Sequence, residues 1–131
     1  MSNKLDRILA EISAGELIDK ITILEIKKTK ISDVNKLKDV EKELLSLNKT
    51  FKAFIPDPSK IQLLINNLKS INFKLWGVEN EKRLAEKNND FGKKFIELAR
   101  SVYKNNDERA KIKLEINNIL GSNIKEVKSH F

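Results

Sequence analysis

Seven side chains stand where chemistry is to be expected: Glu25, Trp76, Glu79, Arg83, Arg100, Tyr103 and Arg109. On a helical wheel of roughly 100° per residue, Glu25 falls inside the apolar arc of Leu17, Ile18, Ile21 and Leu24. The face of Ile61, Leu68, Leu75 and Trp76 continues as Asn72, Glu79, Arg83 and Glu86, so an oily stripe turns ionic near Trp76. Arg100 lies at the edge of the Ile96/Tyr103 face, and Arg109 lies beside Ile112 and Ile116. A carboxylate among aliphatics must be paired or protonated. Arginine is the cation suited to such places, because its planar fork grips carboxylate or phosphate with two hydrogen bonds. Three chemistries fit the pattern. One is a structural Glu/Arg network. A second is a pocket for a small anion, or a carboxylate with a raised pKa able to act as a base. The third is a polar strip that specifies a homodimer. Each predicts Glu25, Glu79, Arg83 and at least one of Arg100 and Arg109 converging beside a cleft lined by Trp76 and Tyr103.

Other chemistries lack their residues. Cysteine is absent, which excludes disulfides, thiolate metal sites and cysteine nucleophiles. The one histidine, His130, excludes a multi-histidine metal site within one chain. There is no phosphate-binding Gly-rich loop and no Ser-His-Asp set, and the Glu-x-x-His spacing of helical di-metal sites is missing. The expectation is no metal and no cofactor. The net charge of +7 invites a nucleic-acid reading, but 22 of the 26 basic residues are lysine, spread along the chain and often beside Asp or Glu. That pattern reads as a solvated surface, with nucleic acid an improbable partner. No stretch approaches the roughly 18 apolar residues of a membrane span. The start, Met1 to Arg7, does not read as a signal peptide, so the expected location is cytoplasmic.

The elements that must position these residues are helical. At 131 residues, with 4 glycines and 2 prolines, the chain reads as one all-α domain over 1–131. Ser13 and Glu16 form a capping box for a first helix, about Ala14 to Ile31. That helix is apolar nearly all round, which calls for a central position or a partner chain. Asp33 caps a second helix to about Lys52, with Leu37, Val40, Leu44, Leu47 and Phe51 spaced as a heptad seam. Asp57-Pro58 starts a third, to about Lys87, with a second seam through Ile61, Leu64, Leu68, Ile71, Leu75 and Val78 and a disturbance expected at Gly77. Two seams across a short loop predict a central antiparallel hairpin of the second and third helices. Asp90 is the cap expected for a fourth helix, Phe91 to Tyr103. Asp107 is the cap expected for a fifth, Glu108 to Leu120, stopped by Gly121. Ile8–Ile12 and Ile124–Phe131 are candidates for a short terminal strand pair.

Several segments resemble DUF6165, an uncharacterised family of small bacterial and phage proteins. They are Ile12 to Lys27, Leu75-Trp76 with Glu79 and Arg83, Phe95 to Tyr103, Asn106-Asp107 with Arg109-Ala110, Ile116-Asn117, Gly121-Ser122 and Glu126 to Ser129. The likeness spans nearly the whole chain and departs in the first dozen residues. It implies a fold constraint and a context in polysaccharide or sugar-nucleotide metabolism, without an established activity. It also draws attention to Glu16, Asp19, Lys20, Asn106, Asp107 and Asn117, which lie inside the shared segments. Three functional readings stand at this point: a dimeric helical binding or accessory protein, an enzyme or sensor for a small phosphorylated metabolite, and a weak nucleic-acid binder.

Overall fold

The computed structural model describes residues 4–130. It is all-helical: α1 (Ala14–Lys30), α2 (Val34–Phe54), a 3₁₀ turn (Ser59–Ile61), α3 (Gln62–Lys87) and α4 (Lys93–Leu120). Among the described residues there is no strand. Residues 4–12 and 122–130 form neither helix nor strand, so the expected terminal strand pair is not made, and Phe131 lies outside the described residues. The two segments meet instead through a side chain, with Asn123 Nδ2 donating to Glu11 Oε2 at 2.7 Å.

Local chemistry sets the helix ends. Ser13 Oγ accepts from Glu16 N and Asp33 Oδ1 accepts from Lys36 N, as N-caps do. Asp57 Oδ1 accepts from Ser59 N, an Asx turn that opens the 3₁₀ turn ahead of α3. Asn89 closes α3 in the left-handed region (φ 55°), which asparagine tolerates, and Asp90 N donates back to Ala85 O. Gly121 (φ 65°) ends α4.

Two expectations about the helices fail for physical reasons. The expected fourth and fifth helices are one, because Asn105-Asn106-Asp107 contains neither Gly nor Pro and costs only tenths of a kcal/mol per residue in a helix. Asn105 Nδ2 turns back onto Ser101 O, and Asp107 faces Lys128 at 3.3 Å instead of capping. Asp90 binds Gly92 N, and α4 starts after Gly92 with no side-chain cap. The central hairpin of α2 and α3 is also absent. These helices share no close backbone approach, because α1 packs against α2, α3 and α4. α2 packs on α1, α3 packs on both α1 and α4, and the most extensive packing is between α3 and α4. α3 runs unbroken through Gly77.

The all-round apolar α1 is therefore the central helix. Leu17, Ile18, Ile21, Leu24 and Ile26 are buried, packed with Val40 and Leu44 of α2, Ile61 and Leu68, and Ile112 and Ile116 of α4. Within one chain, three helices cover the circumference that suggested a partner. α1 can come this close to α4 because of Gly15. A Cβ there would lie 2.5 Å from Lys113 O and 3.0 Å from Asn117 Oδ1.

Candidate functional site

The buried polar centre of the molecule is Asp19, fully enclosed in the middle of α1. Its Oδ1 accepts from Arg109 Nε at 2.9 Å and from Asn72 Nδ2 at 2.8 Å, and its Oδ2 takes Arg109 Nη2. Lys113 Nζ lies 3.6 Å from Oδ2. Asn72 Nδ2 also donates to Thr22 Oγ1 at 2.9 Å, and Thr22 donates to Asp19 O. Three helices thus meet on one carboxylate. Burial pushes the Asp19 carboxyl up, but hydrogen bonds from Arg109 and Asn72 and the charges of Arg109 and Lys113 outweigh it and hold the pKa below the ordinary value. The same bond to Asp19 raises Arg109.

One helical turn further along, Lys113 joins the core to the C-terminal tail. Its ammonium contacts Glu16 Oε2 at 2.6 Å and Glu126 Oε2 at 3.0 Å. Burial opposes its charge, yet the bonds to Glu16 and Glu126 raise its pKa above the usual value. Glu126 is lowered by its bond to Lys113. Glu16 also pairs with Lys20 at 3.7 Å. Three acids (Glu16, Asp19, Glu126) are thereby matched by three bases (Lys20, Arg109, Lys113), so no charge is buried alone. Beside them the N-terminus of α1 is sealed by the far end of the chain. Ala14 N donates to Ser122 Oγ at 3.1 Å, and Gly15 N to Asn117 Oδ1 at 2.6 Å.

The residues expected to converge divide into two groups. Trp76, Glu79, Arg83 and Arg109 line one open cleft of about 500 Å³ between α1, α3 and α4, together with Lys27, Asn72 and Asn106. Within it Glu79 pairs with Arg83 at 3.8 Å and with Lys82 at 3.4 Å. Glu25, Arg100 and Tyr103 lie elsewhere. Glu25 emerges at the α1/α3 edge, half-exposed, 3.8 Å from Lys69. Arg100 sits in a shallow groove with Lys74, Glu97 and Lys104, and Tyr103 is exposed. Of the four charged residues expected in the cluster, only Arg109 reaches the buried centre.

The sequence reading noted Asp19 and Asn117 only as lying inside the family segments and did not choose Asn72 or Lys113, although signals for them exist. Asn72 falls on the spacing Ile61, Ile65, Leu68, Asn72, Leu75, a 4-3-4-3 stripe that alternates with the seam chosen. Lys113 stands between Ile112 and Ile116. Asp19 lies in a helix apolar nearly all round, so the wheel marks no wide polar side to set it against. Among the described residues, no group of His, Cys, Asp and Glu is arranged to hold a metal ion.

Fold and site together define a class: a small four-helix protein whose central helix carries a buried carboxylate neutralised from two other helices. The family model for DUF6165, a family of unknown function, matches residues 8–130, and the chain belongs to that family. No curated protein and no solved structure matches it. Among the described residues, no helix is long and apolar enough to cross a membrane.

Proposed function

We propose that this chain is a non-catalytic helical binding protein that holds a small anion in the cleft of Trp76, Arg83 and Arg109. The observation that carries this reading is the double placement of Arg109. Its Nε and Nη2 are fixed on Asp19 and its Nη1 donates to Asn106 Oδ1 at 3.3 Å, and both Arg109 and Asn106 line the cleft. A guanidinium has five N–H donors, and the two-bond grip on Asp19 leaves several over. A cation held rigid from behind loses little entropy on binding. Arg83 and Lys27 add positive charge, and Trp76 adds a planar apolar wall. Phosphate for the cations, with a sugar or base for the indole, describes a phosphorylated sugar or sugar nucleotide. The metabolic context implied by the family resemblance points the same way.

Two other readings keep a place. An enzyme or sensor acting on the same ligand needs a free base. Asp19 is unsuited, since both its oxygens are occupied and its pKa is lowered. Glu79 is the carboxylate left at the cleft. Weak nucleic-acid binding would show as a linear fall of log affinity with log salt.

Trp76 is the one tryptophan of the chain, so its fluorescence reports on the cleft alone. Titration with inorganic phosphate, glucose 1-phosphate and UDP-glucose is expected to give a saturable change with at least one phosphorylated probe. Arg83→Met should weaken it about tenfold or more, the scale of one charge-assisted contact. A flat response to all three probes, with an unmoved melting midpoint, overturns the proposal.

A further inference from the structure

Three of the five most exposed large apolar side chains of the described residues lie in the segment before α1. Leu5 is 79% exposed, Ile8 81% and Leu9 87%, and Ile12 is 38% exposed at the segment's root. Their spacing is i, i+3, i+4, i+7, which is one stripe of an amphipathic helix and the anchor pattern of helices that bind in grooves. Yet residues 4–12 form no helix in the single chain. A helix this short gains too little from its own hydrogen bonds, so it forms only where its stripe is covered.

A matching receptor lies on the same molecule. An apolar cleft of about 790 Å³ opens between the C-terminal end of α2 and the end of α4, walled by Leu17, Phe54, Ile55 and Leu120. Phe54 is 80% exposed there. Ala10 to Ser13 form another wall of this cleft, and Glu11 is tied to Asn123. Leu9 adjoins that wall directly, so the arm would have to reverse across its own root to enter the cleft it borders. An identical arm arriving from outside meets no such obstacle.

We propose that residues 4–9 are a docking arm that coils into a helical turn in the apolar cleft of a second copy of this chain, while Ala10 to Ile12 stay in place as wall of their own cleft. The pairing is two-fold and mutual, each arm filling the other's cleft. Area supports it. Leu5, Ile8 and Leu9 each offer on the order of 100 Å² of apolar surface, and the cleft offers less than the arm, so two arms against two clefts remove on the order of 1,000 Å² or a little under, the size of a weak, reversible dimer. Charge selects protein over membrane. Lys4, Asp6, Arg7 and Glu11 sum to zero, whereas a helix lying on an anionic bilayer carries a basic polar face. The contact is independent of the Trp76 cleft.

The absence of cysteine gives a clean test with the full chain. Leu9→Cys and Thr50→Cys chains, mixed and mildly oxidised, are expected to form the mixed disulfide in clear excess over either like pair. Thr50 lines the cleft, and neither substitution touches the buried core. Sedimentation equilibrium of the unsubstituted chain should give a dimer at high micromolar concentration, and Leu5→Asp with Leu9→Asp should shift it to monomer with unchanged thermal stability per chain. Four results would overturn the proposal: a monomer throughout, a dimer unaffected by the two aspartates, like disulfide pairs as abundant as mixed ones, or an intrachain bond in the Leu9→Cys/Thr50→Cys double variant at low concentration.

Discussion

Asp19 and Glu25 stand six residues apart on α1, each an acid among isoleucines and leucines, and they experience different solvents. Asp19 is sealed by α3 and α4 and receives hydrogen bonds from Arg109 and Asn72. Glu25 leaves the same helix at an edge, where its only ion pair is a loose one to a half-exposed lysine. The pair Glu79–Arg83 resembles Glu25, with Arg83 79% exposed. Residue type and local spacing are alike in the two regions. What separates them is how many helices close over the position. Strong coupling belongs to the region that water cannot enter, because screening and side-chain freedom erode an exposed pair.

The largest effect should come from breaking the enclosed region. Asp19→Ala removes the carboxylate that Arg109 and Lys113 share and is expected to cost about 3–5 kcal/mol in urea unfolding. Replacing Asp19, Asn72 and Arg109 together by Leu, Leu and Met should recover most of that loss, since an apolar set of similar volume needs no partners. If the triple variant is as unstable as the single one, the centre does more than neutralise a charge.

Gly15→Ala should come next. The added methyl meets the Lys113 carbonyl at 2.5 Å, and backbone must move, at a cost of about 1–3 kcal/mol by the same measurement. No change would mean that α1 and α4 can separate freely, and the Asp19–Arg109 grip would then be looser than the distances imply.

pH sharpens the contrast from another side. The folded pKa of Asp19 is lowered, so its contribution is complete above the unfolded value of about 3.9 and disappears as pH falls through the folded value. Lys113 is raised, so its contribution is complete below about 10.4 and disappears as pH rises through its folded value. The melting midpoint should be flat across neutral pH and fall at both extremes. Asp19→Asn should flatten the acid limb.

The smallest effect belongs to the open region. Glu25→Gln and Lys69→Met, alone and together, should each change stability by no more than about 0.5 kcal/mol, with a coupling energy near zero. A coupling above about 1 kcal/mol would erase the distinction between the two acids.

Much of the architecture was legible in the residues. Ser13, Asp33 and Gly121 end their helices where capping chemistry says they should, because a cap is a contact within four residues. The α2/α3 hairpin misled because a heptad seam shows that a helix has one buried stripe and says nothing of which helix covers it. Both helices did bury a stripe, but α1 covers that of α2, and α1 and α4 together cover α3. The Asn105-Asn106-Asp107 break misled because a residue that favours caps is only mildly disfavoured inside a helix packed on a core. At the site, the reading looked for acids and arginines that broke a stripe and so found Arg109. It noted Asp19 only through the family segments, because a helix apolar nearly all round offers little polar side for contrast, and it passed over Lys113, whose type is usually solvent-exposed.

The bonds that seal α1 have a temporal consequence. Ala14 reaches Ser122, Gly15 reaches Asn117, and Asp19 reaches Arg109, separations of 108, 102 and 90 residues. A nascent chain emerging from the ribosome at about 5–20 residues per second therefore carries α1 for roughly 5–20 s before its partners exist. Through that interval the central helix has two uncapped N–H groups, an unmatched carboxylate and an oily circumference. The helix on which everything else packs is translated early, and its packing is completed last.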